Sequence, residues 1–115
     1  MQSNSRLPSS LRKSTEAALT QAQQLLARGN YAEAESVMRS ALDAWRAAGQ
    51  PRSDEGPLVL ALGKCYEGQR HYEQAYDLYM QALNHLTGPA YDEVYTSFLY
   101  LNERMGAFTK KEPLF

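Results

Sequence analysis

From Ser9 to Met105 apolar residues return at three- and four-residue intervals, the spacing that places them on one face of a helix. Alanine, leucine, glutamine, glutamate and arginine dominate the first half, all good helix formers. No stretch alternates apolar and polar with a period of two, so no strand is expected. Glycine and proline set most of the breaks, and a polar run sets one. Gly29-Asn30, Gly49-Gln50-Pro51, Gln69-Arg70-His71 and Thr87-Gly88-Pro89 each interrupt an apolar stripe, Pro57 lies early in the third stripe, and Gly106 follows the fifth. A glycine after one helix and a proline near the start of the next is how helices commonly end and restart. The pattern predicts five helices, at about 10–28, 31–48, 55–68, 72–86 and 90–105. Connections of a few residues make them antiparallel neighbours. The expected organisation is a tail at 1–9, a helical domain at 10–108 and a second tail at 109–115.

The helices repeat. One unit reads Val59, Leu62-Gly63, Tyr66, then Tyr72, Ala75, Tyr79, Ala82 and Leu83. An earlier unit aligns to it without gaps through Ala18, Gln21, Ala22 and Leu25, then Gly29-Asn30-Tyr31, Ala34, Met38, Ala41 and Leu42. A partial third starts at Tyr95, Phe98 and Leu99 and reaches Gly106-Ala107-Phe108, in register with Gly29-Asn30-Tyr31. This pattern resembles the tetratricopeptide repeat, which places a bulky residue, Leu-Gly, Tyr, Ala and an aromatic at these offsets. Small residues there let helices approach: Gly63 within a hairpin, Ala75 and Ala82 where the second helix crosses its neighbours, with Tyr66, Tyr72 and Tyr79 filling the spaces between. Ala18 and Gln21 depart from the pattern, which usually has bulky apolar residues there.

The resemblance covers roughly residues 15–108 as two and a half repeats. It implies an all-α fold of antiparallel helical hairpins stacked as a short right-handed solenoid of about five helices. The interval from Tyr31 to Tyr72 is 41 residues, against a usual period of about 34. An extended second helix through Trp45 explains the excess, and longer repeats of this kind are similar to those of kinesin light chains.

Composition narrows the function. Twelve basic and thirteen acidic residues leave a formal net charge of -1, without the positive excess of a nucleic-acid binder or the attraction of a basic surface to anionic lipid. The N-terminus lacks the apolar core of a secretory signal, and no stretch approaches the length that spans a bilayer. The single cysteine, Cys65, makes an intramolecular disulfide impossible. A cytoplasmic protein is expected. His71 falls in a turn and His85 in a last helical turn, where capping or exposure explains both; Cys65 reads as a small core thiol. No metal-ligand spacing and no glycine-rich phosphate loop is present. The expectation is a non-enzymatic adaptor or scaffold, with no cofactor, no metal, no nucleic acid and no membrane partner.

In this family the first helix of each hairpin lines a concave face that holds a peptide or helix. The resemblance assigns Leu19, Gln23 and Leu26 to that groove, with Leu60, Lys64 and Glu67 from the second unit and Thr96, Tyr100 and Glu103 from the third. The leucines among them equally suit the core. The positions that grip a C-terminal carboxylate in chaperone-binding relatives hold Leu19, Gln23, Ala61, Glu93 and Ser97, so that clamp is absent. RNA binding, known for related helical repeats, is a remote alternative, because Lys64 is the groove's only cation. The last helix is apolar around most of its circumference, more than one core-facing stripe requires. Tyr91, Val94, Tyr95, Phe98, Leu101 and Met105 form an expected association face, for a partner protein or for a second copy completing the half-repeat.

Overall fold

The computed structural model describes residues 9–109, with side-chain surroundings for residues 10–106. It has five α-helices: α1 (Ser9–Ala27), α2 (Tyr31–Ala47), α3 (Gly56–Gly68), α4 (Tyr72–Leu83) and α5 (Gly88–Thr109). A 3-10 turn at Arg52–Asp54 joins α2 to α3, and no strand occurs among the described residues.

Three of the helices end in the same way. Asn30 N–H donates to the Leu25 carbonyl (2.8 Å) and Gly29 N–H to that of Leu26 (3.0 Å). Gln50 and Gly49 repeat this on Trp45 and Arg46, and His71 and Arg70 on Tyr66 and Glu67. This pair of bonds closes a helix when one residue turns left-handed. Gly29 (φ 79°) and Gly49 (φ 73°) do so freely, and Arg70 (φ 65°) takes the same conformation without being glycine. The residue two positions on begins α2 as Tyr31 and α4 as Tyr72, so chain reversal recurs at equivalent places in the two units.

Each helix packs on its chain neighbour, and α3 also touches both α1 and α5. The odd-numbered helices therefore lie side by side, with α2 and α4 seated against them. One apolar cluster runs through the molecule from Ala22 and Leu25 through Met38, Leu62 and Tyr79 to Val94 and Leu101. Gly63 permits a close approach: a β-carbon there would run into the Tyr79 ring of α4. Ala75 and Ala82 are buried. Gly68, at the end of α3, leaves room for the Tyr31 ring in the same manner.

The expected extension of α2 is present: α2 has 17 residues and α4 has 12. Its last turns bury Trp45, whose indole N–H donates to the Pro51 carbonyl at 3.2 Å. Two boundaries differ from expectation. The fourth helix stops at Leu83 rather than 86, so His85 lies in the connection, although Leu86 is still buried. The fifth runs from Gly88 to Thr109, straight through Gly106, where the repeat register predicts a turn. A lone glycine inside a helix costs about 1 kcal/mol, too little by itself to end one. Residues 1–8 and 110–115, which make up most of the two expected tails, lie outside the described residues.

Candidate functional site

On α3, Pro57, Leu60 and Lys64 recur at the spacing of one helix face, and hollows open on both sides of them. Between α3 and α5 lies an open cleft of 400 Å³ lined by Leu60, Lys64, Asp92, Glu93, Thr96 and Ser97. Between α1 and α3 lies a hollow of 220 Å³ with Leu19, Trp45, Pro57 and Leu58 in its wall and Arg12, Glu16 and Asp54 around them. Three residues assigned to the groove from sequence, Leu60, Lys64 and Thr96, thus share one cleft, and Leu19 lines the adjoining hollow. Leu19, Leu26 and Leu60 are half-buried against the core, and Leu26 lines neither hollow. Gln23, Tyr100 and Glu103 are exposed but do not line either hollow.

Glu67 lines neither hollow and is bonded within the chain. Tyr79 is fully buried, and its hydroxyl donates to Glu67 Oε2 at 2.8 Å, while Arg104 Nη1 on α5 reaches Glu67 Oε1 at 3.3 Å. The carboxylate therefore ties α3 to both α4 and α5.

The expected association face on α5 divides. Val94 and Leu101 are fully buried and Phe98 nearly so, its ring centroid 5.1 Å from that of Tyr76 on α4. These three belong to this chain's own core and are not available to another molecule. This division follows from the neighbours: α3 and α4 cover one side of α5, whatever the polarity of the rest. Met105 is half-buried. Tyr91 and Tyr95 remain exposed, stacked with centroids 5.8 Å apart, and Leu99 and Tyr100 join them on the surface.

Two polar clusters joining α2 to α3 and its approach were not anticipated. Glu55 is buried, and its carboxylate accepts two hydrogen bonds from Arg46, at 2.8 and 2.9 Å, with Arg52 at 3.5 Å. One turn or more away, Glu35 pairs with Arg39 (2.9 Å) and accepts from Gln69 (2.8 Å), and Arg39 also donates to the Tyr66 hydroxyl (2.9 Å). Burial pushes the Glu35 carboxyl up, but the Gln69 and Arg39 contacts outweigh it and hold it below its usual range. Glu35–Arg39 and Arg52–Glu55 are at local helical spacing, but the contacts that join the elements link residues nine to 34 apart, so no local spacing announces those.

His71 precedes α4 without a side-chain capping bond, and both histidines are exposed. Among the described residues no group of three or more histidine, cysteine, aspartate or glutamate side chains is placed to hold a metal. Among them, too, no helix is long and apolar enough to cross a membrane.

Cys65 is buried, donates to the Ala61 carbonyl at 3.1 Å, and is pushed up to about 11 by burial. Burial pushes the Tyr79 phenol up as well. Both stay protonated in the fold at pH values where the unfolded chain ionises. Stability is thus full below about pH 9 and declines toward pH 11, by about 1.4 kcal/mol per pH unit for each group fully ionised only when unfolded. Urea unfolding across this range is expected to show the decline, and Cys65→Ala to lessen its slope. An unchanged slope would mean that the thiol titrates freely in the native protein.

No family model, curated protein or solved structure matches the chain.

Proposed function

We propose that this chain is a tetratricopeptide-type scaffold that holds an extended segment of another protein in the α3–α5 cleft. The reading rests on one observation above others. Leu60, Lys64 and Thr96, assigned to a groove from repeat register alone, come from helices about thirty residues apart and line a single open cleft. The recurrence of the helix-ending bonds, the Gly63–Tyr79 approach and the side-by-side odd helices support it further. A cleft that offers apolar surface, one cation and two carboxylates suits a peptide, whose backbone and side chains need both kinds of contact.

Selection from a displayed random-peptide library, followed by NMR titration of a chosen peptide, tests this. Amide shifts are expected to cluster on Leu60, Lys64 and Thr96. Leu60→Arg with Thr96→Arg is expected to weaken binding about tenfold or more, a loss of about 1.4 kcal/mol, with helical circular dichroism unchanged. Peptides that bind elsewhere, or with affinity indifferent to these substitutions, would show the reading to be wrong.

A further inference from the structure

One end of the molecule carries an apolar face that no described part of this chain covers. Tyr91, Tyr95 and Leu99 recur every four residues on α5 and are 36%, 42% and 47% exposed. At about 100° per residue, Tyr95 and Leu99 follow Phe98 around the helix on the flank away from α3. The opposite flank carries Ala90, which faces Gly56 of α3, and Arg104, which reaches Glu67. Phe98 itself meets Tyr76 of α4. One turn beyond Tyr76, Met80 is also exposed, at 44%. The stripe therefore lies just past the α4–α5 contact, where a further helix would rest as α2 and α4 rest on their neighbours.

Charge selects the occupant. Glu73 and Asp77 on α4 and Glu103 on α5 are all exposed, and none is in an ion pair among the described residues. Within residues 72–106 the only lysine or arginine is Arg104, already engaged with Glu67. A second copy docking symmetrically through this face would set acidic rim against acidic rim. A helix with an apolar stripe between basic flanks meets both features at once.

We propose that the Tyr91, Tyr95 and Leu99 face of α5, with Met80 of α4, docks an amphipathic helix of another protein whose apolar stripe is flanked by lysine or arginine. This surface is separate from the α3–α5 cleft, so its failure leaves the peptide-holding reading standing, and the reverse.

The test uses the full chain and two labelled amphipathic peptides of about 18 residues, long enough to form a helix on binding. Both carry the same leucine stripe; lysine flanks it in one and glutamate in the other. Fluorescence anisotropy is expected to give the lysine peptide about tenfold tighter binding at low salt, a preference that shrinks as salt is added. Tyr95→Glu with Leu99→Glu is expected to abolish binding of both. Glu73→Lys with Asp77→Lys changes only exposed side chains and is expected to move the preference toward the glutamate peptide. Equal binding of the two peptides, binding of neither, or a preference that survives charge reversal would overturn the proposal. So would a wild-type dimer, by light scattering, that Tyr95→Glu converts to monomer, since the occupant would then be a second copy.

Discussion

Arg46→Met is expected to lower the unfolding free energy by about 3 kcal/mol, the lower end of the range for breaking a buried ion pair from one side. Glu55 is 2% exposed and stands immediately before α3, where the helix dipole favours a negative charge. Both of its oxygens accept from the Arg46 fork, at 2.8 and 2.9 Å. Methionine keeps most of the arginine's apolar stem but leaves the carboxylate buried with only Arg52, at 3.5 Å. Arg46 is itself 39% exposed, so the cost comes from the stranded carboxylate rather than from the attraction of the pair. Two comparisons make the argument specific. Arg52→Met removes a longer contact from a side chain that is 42% exposed, and is expected to cost less than about 1 kcal/mol. Glu55→Gln keeps the shape and drops the charge, and is expected to fall between, at about 1–3 kcal/mol. Urea denaturation of the three variants decides it. Equal losses from Arg46→Met and Arg52→Met would mean that the two-pronged contact does not hold the α2–α3 corner.

That corner marks where sequence reading stops. The five helices are legible because Gly29, Gly49 and Gly88 each permit a left-handed turn that helix interiors avoid. Arg70 takes the same turn, and its place was legible only because the polar run Gln69-Arg70-His71 interrupts the apolar spacing. Gly106 carried the same textual signal but sits inside α5, since glycine allows a turn without enforcing one. The α4 boundary ran too far because Leu86 continues the apolar spacing and is buried, although it lies beyond the helix. Leu60, Lys64 and Thr96 were legible as neighbours because helical spacing puts them on the faces of α3 and α5 that line one cleft. On α5 the register could not separate core from surface. Apolar residues surround most of that helix, and only the position of α3 and α4 determines that Val94 and Leu101 are covered while Tyr95 and Leu99 are not. The Glu55–Arg46 contact had no signal at all, being a product of how a 3-10 turn folds the chain back.

Gly63→Ala tests the link between the packing of α3 on α4 and the shape of the cleft. The added methyl runs into the Tyr79 ring, and the ring has nowhere to go. Tyr79 is fully buried, its hydroxyl is bonded to Glu67 at 2.8 Å, and Glu67 is held in turn by Arg104 at 3.3 Å. The helices must therefore separate, and a cost of about 3 kcal/mol is expected, the upper end for overpacking a well-filled core. Gly68→Ala is the matched control. It meets the Tyr31 ring equally closely, but that ring is only half-buried at the start of α2 and can yield, so about 1 kcal/mol is expected. Tyr79→Leu shortens the obstructing side chain, and the double variant is expected to be at least 1 kcal/mol more stable than the two single losses added together. Leu60 and Lys64 stand on the same helix as Gly63, so moving α3 away from α4 also shifts one wall of the cleft against Thr96 on α5. A peptide held there is expected to bind more weakly to Gly63→Ala and to regain affinity in the double variant, while Gly68→Ala leaves its affinity unchanged. Additive losses, or equal costs at the two glycines, would mean that α3 is not fixed by the Tyr79 contact and that the cleft takes its shape from α5 alone.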